Sequence, residues 1–125
     1  MVSKILKLIL SELVGTAVLL FVITGSGIMG VNLSQGNDGV ALLANSIATG
    51  AGLFVLISLL GNISGAHFNP AVTLLQLFNK KITFGLSIFL FFSKFWVPYW
   101  VFLLPILFLD MIFMNFQIKI ALVPP

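Results

Sequence analysis

The 125-residue chain has no cysteine, no arginine, one histidine and only three acids, Glu12, Asp38 and Asp110. Without a thiol there is no disulfide, thiolate metal site or cysteine nucleophile, and the redox compartment stays undetermined. One imidazole and three scattered carboxylates supply neither a carboxylate pair, a nucleophile with its base, nor a metal cluster, so no enzyme, catalytic residue, metal or cofactor is expected. Charge of either sign is scarce: 7% of residues are charged against 60% hydrophobic, with a mean hydropathy of +1.22. Such a chain cannot cover a soluble surface. The formal charge of +3 comes from Lys4, Lys7, Lys80, Lys81, Lys94 and Lys119. Most of these flank apolar runs instead of forming a basic face, which argues against a nucleic-acid partner and for a lipid bilayer as surroundings.

What is present are uncharged runs such as Leu13 to Gly30 and Val40 to Leu60, long enough to cross a bilayer as helices. A first span is expected from about Ile5 to Gly30, a polar loop from Asn32 to Gly39, and a second span from Val40 to Leu60. The first run lacks a small-residue cleavage pattern and reads as a retained helix. Lysines before the first span and again at Lys80 and Lys81 place the N-terminus and Asn79 to Lys81 in the cytoplasm and the Asn32 to Gly39 loop outside. Glu12, inside the first span, either faces the protein interior as a functional group or snorkels to the headgroup boundary. Gly15, Gly25, Gly27 and Gly30 are small enough for a neighbouring backbone to come close. In the second span Ala44, Ala48 and Gly52 form a smooth stripe, and Asn45, Ser46 and Thr49 can hydrogen-bond a neighbouring helix.

Between two cytoplasmic points, near Gly61 and at Lys80, the chain is largely apolar yet carries Ser64, Gly65, His67, Asn69 and Pro70. It must dip into the membrane and return. Non-helical backbone at that depth is tolerated only where protein buries it or a wet cavity lines it, so an extended leg (Asn62 to Phe68) and a half-helix (Pro70 to Asn79) imply a channel or transporter. Asn69 reads as the N-cap and Pro70 as the first helical residue. The half-helix points unpaired amides and a partial positive charge at its tip, repelling cations, while the Asn69 carboxamide can cap those amides and donate into a lumen. Carbonyls at Gly65, Ala66 and His67 can supply a row of acceptors. Donors at the tip and acceptors along the leg suit a small neutral polar solute. The His67 ring either lines the pore or hydrogen-bonds within the loop.

The run Ser64-Gly65-Ala66-His67-Phe68-Asn69-Pro70-Ala71-Val72-Thr73 resembles the first Asn-Pro-Ala loop of the aquaporin, or major intrinsic protein, family, and Glu12-Leu13-Val14-Gly15-Thr16 resembles that family's first-helix pattern. The resemblance covers about residues 5 to 88. It implies an all-α membrane protein, an aquaporin-like half-channel with three transmembrane helices and one re-entrant half-helix loop, in the cell (inner) membrane. It implies a pore motif at Asn69, Pro70 and Ala71, pore carbonyls at Gly65, Ala66 and His67, and a loop-supporting hydrogen bond from Glu12. By the family's spacing, Thr49 falls at a selectivity position, where a threonine leaves a wider, hydroxyl-lined constriction. The solute implied is water or a small neutral molecule, glycerol-like or a metalloid hydroxide, and the assembly implied is a homotetramer.

The resemblance stops short. A complete family member has six spans, a second Asn-Pro-Ala loop and a filter arginine, so the chain reads as a truncated first half of a passive channel or, alternatively, as a non-conducting membrane fragment of a channel gene. All eleven glycines lie at or before Gly85, while both tryptophans, the only tyrosine and four of the five prolines follow it. Residues 1–88 therefore read as the first repeat and 89–125 as an atypical hydrophobic third helix (Ile82 to Leu109, kinked at Pro98 and Pro105) and tail. Two readings of the break stay open: a divergent third helix with Trp96, Tyr99 and Trp100 as interface aromatics, or a shifted reading frame, since read from each third base Phe95-Trp96-Val97 and Tyr99-Trp100-Val101 both contain Leu-Gly, restoring a glycine pair at helical spacing. In the frame as written, Lys94 lies at mid-span, where an unpaired cation costs about 2.5 to 3.5 kcal/mol.

Overall fold

The computed structural model describes residues 2–97 together with residues 106, 107 and 111. Four helices account for most of the described residues, and no strand occurs among them. Helix α1 spans Val2–Leu33, α2 Asp38–Ser64, α3 Pro70–Phe78 and α4 Phe84–Val97.

Helices α1 and α2 are long and apolar enough to cross a membrane. At 32 and 27 residues they rise about 48 and 40 Å, more than the roughly 30 Å of a hydrocarbon core. Both exceed the spans expected from the sequence, because hydropathy marks where charge stops and hydrogen bonding marks where the helix stops. The connection is correspondingly shorter than Asn32 to Gly39. Left-handed Gln35 and Gly36 (φ 52° and 86°) turn the chain, and Asn37 caps α2 by accepting the Val40 N–H at 3.1 Å.

The two long helices pack antiparallel through small residues. A Cβ on Gly30 would lie 2.9 Å from the Ala41 carbonyl oxygen, one on Gly27 3.3 Å from the Asn45 amide, and one on Gly52 3.0 Å from Val22. Between them, the Asn45 Oδ1 lies 2.9 Å from Ser26 Oγ and 3.1 Å from Thr49 Oγ1. Asn45 and Ser26 thus form a polar cross-link between otherwise apolar helices.

Helix α2 does not stop near Gly61. It continues to Ser64 and ends on Gly65 in the left-handed region (φ 88°), whose N–H reaches the Gly61 carbonyl at 2.9 Å. The leg expected as extended from Asn62 is therefore a tight turn over residues 65–69, with Ala66 and Phe68 also left-handed (φ 50° and 40°). The antiparallel register pairs Gly15 of α1 with residues near Leu59 of α2, so α2 has already passed the level of Gly15 when it ends. The Phe68 ring nevertheless packs on Gly15, where any Cβ would overlap it. The turn has folded back against α1, and α3 starts from it as the short half-helix of a re-entrant loop.

Helix α3 closes with Lys80 left-handed (φ 55°) and hydrogen bonds from Lys81 N–H to Gln76 O and from Lys80 N–H to Leu77 O. Helix α4 starts at Phe84, two residues after the expected Ile82, and buries Ser87, Leu90 and Lys94, one face at helical spacing. Pro98, Pro105 and the end of the expected third span lie outside the described residues.

Candidate pore tip and its buried anchor

Asn69 sits at the tip of the re-entrant turn. Its backbone is extended (φ −137°, ψ 133°), its Oδ1 accepts the Ala71 N–H at 2.8 Å, and Pro70 occupies the first helical position, where no amide hydrogen is needed. The side chains of Asn69 and Ala71 are exposed. The carboxamide oxygen is spent on the helix end and the NH₂ group faces outward.

Beneath the tip lies Glu12, 1% exposed. Its Oε1 accepts the His67 N–H at 2.9 Å and its Oε2 the Phe68 N–H at 3.0 Å. Of the two positions open to it, the interior is the one it takes. The geometry explains why a carboxylate is needed: left-handed Ala66 and Phe68 turn consecutive amides toward one point, a concavity that suits an anion. Left-handed backbone costs about 1–2 kcal/mol at each such residue, and two charge-assisted hydrogen bonds of about 1.5–3 kcal/mol each offset it.

The same carboxylate carries an ion pair that was not expected from the sequence. Lys94 of α4 places its Nζ 3.0 Å from Glu12 Oε2, with both side chains at most 1% exposed, and donates to Thr73 Oγ1 at 2.6 Å. Thr73 Oγ1 in turn donates to the Asn69 carbonyl at 3.2 Å. Four segments meet in this buried network: α1, the turn, α3 and α4. Glu12 and Lys94 were each visible as charges at membrane depth. That two opposite charges in one small apolar chain should seek each other was the signal available.

The other expected site residues lie around and away from this network. Among the described residues none donates to the carbonyl oxygens of Gly65, Ala66 or His67. The His67 ring is buried, with its Nδ1 unpartnered among the described residues; the alternative of a ring hydrogen-bonded within the loop finds no partner there. Gly65 leaves room for that ring, since a Cβ would approach its Nε2 to 3.0 Å. Thr49 is half-buried and bonded to Asn45. It lies on the order of 15 Å along α2 from the level of Gly15, so the structure separates it from the turn.

The major intrinsic protein family model matches residues 1–96. The chain belongs to the major intrinsic protein family. Aquaglyceroporin AqpS of Rhizobium meliloti (strain 1021) is 49% identical over 73 residues, 58% of this chain and 31% of that protein. Aquaporin NIP2-1 of Oryza sativa subsp. japonica is 46% identical over 71 residues, 56% of this chain and 22% of the relative. Aquaporin-8 of Mus musculus is 39% identical over 90 residues, 72% of this chain and 29% of the relative. This member therefore spans about a third or less of the curated relatives it matches. No solved structure matches it significantly. Family membership and the two long apolar helices make it an integral membrane protein.

Proposed function

We propose that this major intrinsic protein chain supplies the first repeat of a passive channel for water or small neutral solutes. The observation that carries the reading is the exposed N-terminus of α3, capped by Asn69, with the turn before it held by Glu12. Its field disfavours cations, its carboxamide offers a donor, and the carbonyls of residues 65–67 offer acceptors. A solute that both donates and accepts without net charge satisfies all three. Thr49 as a small, hydroxyl-bearing selectivity position, together with the name aquaglyceroporin borne by one relative, favours a glycerol-like molecule or metalloid hydroxide over water alone. The lysine distribution favours a cytoplasmic N-terminus, and a homotetramer is the assembly proposed.

The lumen needs a second wall facing Asn69, and a second repeat of opposite sense would supply it. The division at residue 88 and a frame shift beyond it remain part of this proposal, since the shifted frame would lead into such a repeat. Proteoliposomes carrying this chain in a glycerol gradient test the reading. Swelling several-fold faster than empty vesicles supports conduction by the chain itself; swelling at the empty-vesicle rate assigns it to the non-conducting alternative.

A further inference from the structure

We propose that Lys94 is a positioning residue: its ammonium neutralises Glu12 and grips Thr73, and so locks the turn at residues 65–69 and the first turn of α3 at their depth. The proposal rests on the channel reading only for what the locked turn is used for; the lock itself is independent of conduction.

Three observations carry it. Lys94 is 4% exposed although it sits on an apolar helix, and its ammonium has two partners on two other segments. Glu12 receives three donors from three directions: the His67 N–H, the Phe68 N–H and the Lys94 ammonium. Thr73 passes the grip onward, accepting from Lys94 and donating its single hydroxyl hydrogen to the Asn69 carbonyl. The Asn69 side chain is left free to cap α3 and to face outward.

An isolated Glu12 would anchor the turn to α1 alone and leave a net charge at a site 1% exposed. With Lys94 in place the cluster is neutral and α4 becomes a third wall of the anchor. Removing either charge strands the other, whereas removing both strands neither, so the two substitutions must be strongly non-additive.

The chain has no cysteine, which permits a single-thiol reporter. Ser64, 6% exposed, accepts the Ala66 N–H of the turn at 3.1 Å, so Ser64→Cys puts one thiol in contact with the turn and serves as the parent of every comparison. Its reaction rate with a small water-soluble thiol reagent, measured on the full chain in detergent, reads opening of the turn. Lys94→Met and Glu12→Gln are each expected to speed labelling about tenfold or more, and the double variant no more than the faster single, a departure of about tenfold from the product of the two. If Lys94→Met fails to fold, Lys94→Gln, which removes the charge and keeps an N–H donor, enters the same cycle. Multiplying rates in the double variant, or a lysine variant that labels like its parent, overturns the proposal. Because labelling needs no permeation, a failed lock and a failed channel are separate results.

Discussion

Asn69 does two things with one amide, and a single substitution separates them. In Asn69→Asp a carboxylate oxygen still accepts the Ala71 N–H and sits favourably at the positive end of α3, so stability should change by no more than about 0.5–1 kcal/mol. The outward NH₂ donor disappears and a negative charge cancels the field of the helix end. In whatever assembly conducts the neutral solute, the variant should admit monovalent cations and pass less solute, read as ionic current and swelling rate side by side. Unchanged solute passage and continued ion exclusion would remove Asn69 from the role given to it. Gly15 makes the same point without charge. It is the residue over which Phe68 folds, and only the absence of a Cβ lets the turn come that close.

At the scale of elements, the fold depends on two contacts of different kinds. Between α1 and α2 the contact is backbone to backbone at Gly30 and Ala41, supported by Ser26 and Asn45. Gly30→Val should destabilise the purified protein in detergent by about 1–3 kcal/mol, because the Ala41 carbonyl at 2.9 Å belongs to a rigid helix and cannot step aside. Gly50 lies on the same α2 helix, where an added Cβ would meet nothing within 4 Å, so Gly50→Ala should leave thermal stability unchanged or raise it by up to about 1 kcal/mol. Equal effects at the two sites would show that helix packing does not run through Gly30. The second contact, between the turn and its anchor, is electrostatic. It holds backbone that local preference alone would not keep, with left-handed Ala66 and Phe68 fixed by Glu12.

For the molecule as a whole, the outward faces of all four helices are apolar, from Leu6 and Val14 through Phe54 and Leu59 to Phe92 and Trp96. In a bilayer these face lipid or neighbouring helices, while the buried residues of α1 and α4 include the polar Ser11, Glu12, Thr16, Ser87 and Lys94. The proposed frame shift meets this interior at Lys94. Read from the third base of each codon, Ser93-Lys94 gives a codon ending in two adenines, which is glutamine only when that third base is cytosine. The next two residues then give isoleucine or valine followed by leucine, and glycine comes after. A glutamine in place of Lys94 would keep an N–H donor for Glu12. Sequencing the gene should therefore show cytosine as the last base of the Ser93 codon and an open shifted frame downstream. Thymine there creates a stop and ends the proposal.

Much was legible in the chain before any fold was known. Composition marked a membrane protein, and Asn69 followed by Pro70 marked a helix start to the residue, because capping is a local interaction written in adjacent side chains. Glu12 could be singled out, since a lone carboxylate in an apolar run has few physical excuses. Its partners could not. His67, Phe68, Thr73 and Lys94 come from parts of the chain distant in sequence, and whether each points at Glu12 depends on helix rotation and on how far the turn climbs. The helix ends moved for a related reason: hydropathy is insensitive to the left-handed caps at Gly36, Gly65 and Lys80. The sequence by itself thus determined which charges must be buried and compensated, as the penalty for leaving them in lipid is a property of the residues alone. Only the tertiary structure decided that they compensate one another, because an ion pair depends on ångström-scale distances that the order of residues does not contain.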